Sequence, residues 1–271
     1  MEKLVITAAI VGAEVTRAEQ PNLSLSAEEI AEDAYQCYKA GAAMIHLHVR
    51  DAQGNATQDK EVFTKAVKLI REKCPVLVQV STGGAVGMTA EERIQSIESD
   101  PDMATLSTGT CNFGTDVFEN TQDMMEIFAK KMTEKNLKPE LECFDVGMID
   151  NGMRLAKKGF IKSPLHFDFV LGVPGAAPGT PEVLMFMQSH IPADATWTVA
   201  GIGRTETPLA VMGIIMGGHV RVGFEDNVYY SKGEVAQSNA QLVERVVRLA
   251  KELGREVANP EEARKILGLY K

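Results

Sequence analysis

Residues 42–51 read AAMIHLHVRD, an apolar stretch that becomes polar at its end. In a β-strand, side chains two residues apart lie on the same face, so His46 and His48 would project together while the aliphatic residues beside them pack on the other face. The turn-forming segment Asp51–Asn55 follows directly. The stretch therefore predicts a buried strand that ends in two imidazoles close enough to share a metal ion. Spacing alone leaves a second interpretation open, in which the two histidines are unrelated and hydrogen-bonded.

The same pattern, a short apolar or β-branched run followed by Gly, Ser, Thr or Asp, recurs along the chain and predicts strands. The eight predicted strands are Leu4–Ile10, Ala43–His48, Pro75–Ser81, Met103–Ser107, Glu140–Phe144, His166–Leu171, Thr196–Ala200 and His219–Phe224. Amphipathic stretches between them predict helices, and the first opens with a capping box at Ser26. The clearest predicted helices are Ala27–Ala40, Lys60–Lys73, Thr89–Glu98, Val117–Lys135 and Asn239–Leu253, with a shorter one in the tail Asn259–Tyr270.

Eight strands alternating with helices over 271 residues predict an α/β fold of the (β/α)8 TIM barrel type. A doubly wound open sheet is the alternative, but no Gly-x-Gly-x-x-Gly motif opens a first helix. No stretch has the composition of a linker. We therefore expect a single barrel domain over residues 1–271 with a C-terminal helical tail.

Composition excludes several classes of function. The net charge of −9 disfavours a nucleic-acid surface and an anionic membrane surface. No segment resembles a signal peptide or approaches the length of a membrane span, so a cytoplasmic protein is expected. The four cysteines are widely spaced and form no C-x-x-C pair, which indicates reduced packing residues rather than a disulfide framework.

In a TIM barrel, functional residues lie at the carboxyl ends of the strands. Polar residues cluster at these ends in this chain, and burial without partners would be costly for them. The candidates are Glu14, Ser81, Gly84, Thr105, Ser107, Glu142, Arg221, Glu225 and Asp226. Any single one, Glu142 for example, could instead belong to a structural ion pair.

A catalytic zinc site usually has three protein ligands and one open position, so His46 and His48 need a third partner. Strand eight of a closed barrel pairs with strand one and lies near strand two. Glu225, which follows strand eight, is therefore the best candidate for the third ligand.

Two other segments are less specific. The loop Gly172–Pro181 is too rich in Gly and Pro to be helical, and it is either a rigid turn or a place where the phosphates of a long cofactor meet backbone amides. Glu206, which follows Arg204, is either a second anion near the pocket or a solvated side chain.

Several of these motifs together resemble the β-keto acid cleavage enzymes, over nearly the full length of the chain. The resemblance is carried by Thr7–Ile10, Gly12–Glu14, Ile45–Arg50, Ser81–Gly84, Gly172–Gly175, Gly201–Arg204 and Gly223–Asn227. Within that family, Glu14–Leu23 and Asn239–Val243 are similar to the branch that serves anaerobic lysine fermentation and acts on an amino-bearing keto acid.

The resemblance implies an acyltransferase that condenses a β-keto acid with acetyl-CoA and gives acetoacetate and a new acyl-CoA. It implies a Zn²⁺ ion on His46, His48 and Glu225 that chelates the keto acid and acidifies its α-proton. Asp226 matches the family's base and Arg221 an assisting residue. The residues that match polar groups of the substrate pocket are Ser81, Thr105 and Glu142.

From the residues themselves, Glu14 is suited to a substrate ammonium group, because a partly desolvated carboxylate selects for a cation. The family also suggests a homotetramer. Two alternatives stay open: a metal-dependent barrel hydrolase or aldolase that does not use CoA, and a binding barrel with a structural metal.

Overall fold

Within residues 1–269, which the computed structural model describes, eight parallel strands close into a barrel. The strands are β1 (Ile6–Ala9), β2 (Met44–Leu47), β3 (Leu77–Val80), β4 (Met103–Ser107), β5 (Lys138–Cys143), β6 (His166–Leu171), β7 (Thr196–Gly201) and β8 (His219–Val222). Each pairs with its neighbours in chain order, and β8 closes the barrel against β1. The predicted TIM barrel is confirmed.

Helices follow the strands and cover the outside of the barrel. They are α1 (Ala27–Ala40), α2 (Lys60–Lys73), α3 (Ala90–Arg93), α4 (Gln122–Glu134), α5 (Val146–Lys157), α6 (Pro181–Gln188), α7 (Glu206–Met216), α8 (Asn239–Glu252) and α9 (Pro260–Ile266). The predicted capping box at Ser26 is present: the Ser26 hydroxyl accepts the Glu29 N–H, and the Glu29 carboxylate accepts the Ser26 N–H. Within the described residues, no helix combines the length and the apolar character that a membrane crossing requires.

The helix predicted over Val117–Lys135 begins later than expected, at Gln122. Thr121 caps its first turn through a side-chain hydrogen bond to the Met124 N–H. Residues Asp116–Phe118 instead pair with Cys111–Phe113 in a short hairpin. The prediction was wrong there because an apolar stretch fits a strand and a helix equally well when it is short.

The amino end of the barrel is closed by α9. Its Ala263 and the following Leu267 pack against Val5, Met44 and Leu77, which lie at the amino ends of three strands. The predicted tail helix is thus present over Pro260–Ile266, whereas Tyr270 lies outside the described residues. Since this end is covered, the functional groups lie at the opposite, carboxyl end.

The barrel interior is unusually polar. His166 is hydrogen-bonded to the Glu140 carboxylate at 2.9 Å, and Nδ1 of His219 accepts the Val5 N–H. Both histidines are buried and hydrogen-bonded within the barrel. Above them, Arg221 lies 3.7 Å from the fully buried carboxylate of Asp168. This layer of paired charges forms the floor of the site.

Candidate active site

A tight loop after β8 brings Glu225 across β1. Gly223 has a φ of 148°, and a Cβ there would lie 2.2 Å from the Ala9 oxygen, so only glycine fits. The Glu225 N–H donates to that same oxygen. Gly12, with a φ of 68°, gives space to Glu225, because a Cβ at Gly12 would lie 2.9 Å from its Cγ. Both glycines therefore allow the carboxylate to reach β2.

His46, His48 and Glu225 meet at the mouth of the barrel. Nε2 of His46 lies 3.3 Å from Oε1 of Glu225, and Nε2 of His48 lies 3.6 Å from the same atom. One ligand atom from each residue lies within 4.8 Å of the others. The three residues that the sequence proposed as metal ligands are thus brought together by the fold.

The donor atoms of this cluster suit a metal cation. Nδ1 of His46 lies 2.7 Å from the side-chain amide oxygen of Gln79, which can only accept, so Nδ1 carries a proton and Nε2 faces the cluster. That Nε2 and Oε2 of Glu225 make no hydrogen bond within residues 1–269. Burial lowers the pKa of His48 to about 4, so its imidazole is neutral. Burial opposes protonation of His46, but the adjacent Glu225 carboxylate favours it, so the pKa of His46 is raised. Two imidazoles and one carboxylate form a donor set that suits zinc.

Arg221 joins the carboxylates beside this cluster. Its guanidinium donates two hydrogen bonds to Asp226, at 2.9 and 2.8 Å, and one to Glu225 at 2.5 Å. A further contact reaches Glu142 at 3.3 Å. The guanidinium is buried, so it neutralises these acids far more strongly than a solvated arginine would.

Asp226 is adjacent to the proposed ligand Glu225 but lies outside the three-residue cluster. The mouth of the barrel contains a pocket, and Asp226 lines it together with His48 and Glu225. Burial raises the pKa of the Asp226 carboxyl to about 6, and the ion pair with Arg221 opposes that rise. A carboxylate with this pKa can accept a proton near neutral pH.

The predicted pocket residues divide into two groups. Glu14, Ser81, Gly84 and Glu142 line the pocket. The other two lie behind its wall: Thr105 accepts the Thr82 N–H, and Ser107 donates to Glu142 at 2.8 Å. Ser107 therefore acts on the pocket through Glu142.

Glu14 is an exposed pocket residue whose carboxylate has no hydrogen bond or ion pair within residues 1–269. The loop that carries it is held by Arg50, which donates to the carbonyl oxygens of Gly12 and Val15. The backbone around Glu14 is thus fixed, and its carboxylate attracts Arg50 only at a distance and makes no direct ion pair within residues 1–269.

Sequence reasoning missed the apolar wall of the pocket. Phe113, Phe118 and Phe144 line it, with ring centroids 6.1 to 6.3 Å apart in edge-to-face contacts. They come from the hairpin after β4 and from the end of β5. Phe113 follows a predicted strand, Phe118 lies in a predicted helix and Phe144 ends a predicted strand, so the three share no sequence signal.

A second hollow adjoins the pocket. It is formed by the loop Gly172–Thr180 and by Ile202, Arg204 and Thr205. Val173, Pro174 and Ile202 line both spaces, so the two are neighbours. Arg204 is exposed there and makes no ion pair within the described part of the chain.

Glu206 fits neither interpretation offered by the sequence. Its side chain is 1% exposed, so it is not solvated, and it does not line the pocket. It lies behind the loop that follows β8 and pairs with Arg245 at 2.8 Å. A buried glutamate with a distant arginine partner has no local sequence signal.

Comparison with known proteins agrees with this geometry. The model of the beta-keto acid cleavage enzyme family matches residues 3–269. The chain is 59% identical to a 3-keto-5-aminohexanoate cleavage enzyme of Fusobacterium nucleatum, over 100% of both chains. It is 38% identical to a 3-oxoadipate:acetyl-CoA acetyltransferase of Cupriavidus necator, over 98% of this chain and 94% of that protein.

Among solved structures, the apo form of ObcA aligns with a TM-score of 0.79 and 18% identity. The alignment covers 93% of this chain and 66% of ObcA, and it supports the barrel fold alone. The full-length family match and the relatives at 59% and 38% identity carry the assignment. The chain belongs to the beta-keto acid cleavage enzyme family.

Proposed function

We propose that this protein converts 3-keto-5-aminohexanoate and acetyl-CoA into acetoacetate and 3-aminobutyryl-CoA, a reaction of anaerobic lysine fermentation. The observation that carries the proposal is one pocket that combines a three-ligand cluster, the non-ligand carboxylate of Asp226 and the unpaired carboxylate of Glu14. The family and the named activity of the Fusobacterium relative support the same reaction.

His46, His48 and Glu225 would hold a zinc ion, which when bound supplies a Lewis acid toward the keto group. Asp226 accepts the α-proton of the keto acid, and Arg221 orients that carboxylate through its two hydrogen bonds. The phenylalanine wall supplies an apolar surface beside the carbanion and limits its contact with water.

The bonds balance without a redox step. The α-carbon of the keto acid attacks the thioester carbon of acetyl-CoA, and the C–S bond breaks. The CoA sulfur then adds to C3, the keto carbon of the original keto acid. The bond between C3 and the α-carbon breaks. Acetoacetate leaves with the proton returned by Asp226, and the amino-bearing fragment leaves as its CoA thioester.

The rival reading is a hydrolase or aldolase that uses the same groups without CoA. Zinc-loaded protein is incubated with the keto acid, with and without acetyl-CoA, and acetoacetate is measured by an enzyme-coupled assay. Acetoacetate that forms only with acetyl-CoA supports the proposal. Turnover of the keto acid without acetyl-CoA would favour the rival.

Glu14 is proposed to bind the substrate ammonium group, because its carboxylate lines the pocket and has no partner within residues 1–269. Replacing Glu14 with Gln is expected to raise the KM for the amino-bearing keto acid about tenfold, the loss of one charge-assisted contact of roughly 1.5 kcal/mol. The measurement is the KM of both proteins with saturating acetyl-CoA.

The matched control for Glu14→Gln is a neutral keto acid of the same length, 3-ketohexanoate. Its KM is expected to change less than about twofold, because it has no ammonium group to lose a partner. An equal rise in KM for both keto acids would show that Glu14 does not bind the substrate ammonium group.

Acetyl-CoA is proposed to reach the pocket across Val173 and Ile202, with its diphosphate in the hollow beside Arg204. Supporting this, the hollow adjoins the pocket, and none of the described residues that line it is a carboxylate. Replacing Arg204 with Ala is expected to raise the KM for acetyl-CoA about tenfold, as for one lost charge-assisted contact to phosphate. The KM for the keto acid stays within about twofold.

Two controls separate this role from a general effect of charge. A truncated thioester, acetyl-pantetheine, lacks the diphosphate and is expected to react equally with both proteins. Lys130→Ala removes an exposed cation from α4 and is expected to leave the KM for acetyl-CoA unchanged. A normal KM for acetyl-CoA in Arg204→Ala would place the diphosphate elsewhere.

A further inference from the structure

Glu206 is a buried carboxylate that the proposed chemistry does not use. It is the first residue of α7, and its side chain lies behind the loop Gly223–Asn227 rather than in the pocket. That loop carries Glu225 and Asp226 at its centre. The carboxylate is therefore in contact with the segment that supplies a proposed metal ligand and the proposed base.

The contacts of Glu206 reach both ends of this loop. Oε2 accepts the backbone N–H of Gly223 at 3.2 Å, and Oε1 accepts the side-chain amide of Asn227 at 3.1 Å. Between these two residues the Asp226 N–H donates to the Gly223 oxygen. One carboxylate thus holds the first and the last residue of the five-residue turn.

A third donor also binds the Glu206 side chain. Arg245 of α8 donates to Oε1 of Glu206 at 2.8 Å, and its guanidinium lies 4.8 Å from the ring centroid of Tyr230. Tyr230 belongs to the hairpin that follows the loop. Glu206 therefore links α7, α8 and the chain after β8 at one buried point.

Stability alone does not account for this arrangement. A buried ion pair gains little net free energy over apolar residues of the same volume, because both charges lose their water. Its geometry, in contrast, fixes backbone atoms: Gly223 through its N–H and Asn227 through its side chain. A metal site requires its ligands within about 0.5 Å of their positions.

We propose that Glu206 is a positioning residue for the metal site. By holding both ends of the loop, it keeps Glu225 directed toward His46 and His48, and Asp226 against Arg221. Partners that orient metal ligands typically change metal affinity or activity by about 10–100-fold when they are replaced.

The test is Glu206→Gln, which keeps the size of the side chain but places an NH2 group against one of three donors. The zinc dissociation constant is measured by titration of the metal-free protein with zinc in competition with a chromophoric chelator. We expect it to rise about 10–100-fold, and kcat at saturating zinc to fall. Zinc affinity is read without turnover, so this outcome is independent of the substrate proposed above.

Asp102→Asn is the matched control. Asp102 is a buried carboxylate that also accepts a backbone N–H, from Val78 at 2.9 Å, and pairs with an arginine, Arg264. It lies at the amino end of the barrel, where β4 begins. Its replacement is expected to lower the melting temperature and leave the zinc dissociation constant unchanged.

A Glu206→Gln protein that is folded and binds zinc as tightly as the parent would overturn the proposal. An equal loss of affinity in Asp102→Asn would also overturn it, since general loosening would then explain both. If Glu206→Gln does not fold, Asn227→Ala removes only one donor to Glu206. That variant is expected to raise the zinc dissociation constant by at least about threefold, and an unchanged constant would contradict the proposal.

Discussion

Replacing His48 with Ala is expected to remove zinc from the protein and to lower kcat by a factor on the order of 10³–10⁴ while the barrel stays folded. A Lewis acid contributes several kcal/mol of transition-state stabilisation, and about 1.4 kcal/mol corresponds to a tenfold change in rate. The His48 side chain contacts Glu225 at 3.6 Å and has no hydrogen bond within residues 1–269. Its loss therefore affects the cluster more than the core.

The measurements are zinc content by elemental analysis, kcat, and the thermal unfolding transition by circular dichroism. His190→Ala is the control, because His190 is an exposed histidine just after α6 and far along the chain from the cluster. It is expected to change none of the three quantities. A binding barrel with a structural metal predicts instead that His48→Ala unfolds, and a variant that keeps stoichiometric zinc would refute the proposed ligand set.

The charges around the cluster support the proposed divalent cation. Arg221 is the one buried cation among four carboxylates, those of Glu142, Asp168, Glu225 and Asp226, in the described part of the chain. Carboxylates confined at low dielectric repel each other strongly. Arg221 offsets part of this repulsion, and burial raises the pKa of Asp168 well above its usual value, which favours its neutral form. A bound divalent ion would offset the repulsion further.

The fold was largely predictable because each strand is a short apolar run between turn residues. The eight predicted strands all exist, and β2 differs from its predicted range only at the ends, Ala43 and His48. Helix α7 was harder to find, since it is apolar on most of its faces and shows no amphipathic pattern. The hairpin around Val117 was misread for the related reason that short apolar runs do not fix their own structure.

The site was predictable where topology links distant segments. Glu225 could be placed beside His46 because strand eight of a closed barrel must pair with strand one, and the structure has them 3.3 Å apart. Glu206 could not be interpreted, because its partners, such as Arg245, meet it only through helix packing. The phenylalanine wall could not be predicted for the same reason. Phe113 and Phe144 come from different segments of the chain, and no local sequence pattern indicates that they meet.

Asp226→Asn carries the second large expected effect. If Asp226 is the base, the substitution lowers kcat about 10²–10⁴-fold, because an amide cannot accept the α-proton. The zinc content stays unchanged, since Asp226 is not one of the three clustered ligands. The amide oxygen can still accept one hydrogen bond from Arg221, so the loop keeps its position. Measurements of kcat and zinc content together test whether Asp226 is the base rather than a metal ligand.

Asp168→Asn is the matched control, because Asp168 is buried, lies 3.7 Å from the same Arg221 and does not line the pocket. It is expected to lower kcat less than about tenfold. Proton transfer is isolated by following enzyme-dependent exchange of the α-protons of the keto acid in D₂O without acetyl-CoA. Exchange should disappear in Asp226→Asn and persist in Asp168→Asn. If Asp226→Asn exchanges protons as fast as the parent, the base is another group, and Glu142, which shares Arg221 and lines the pocket, becomes the next candidate.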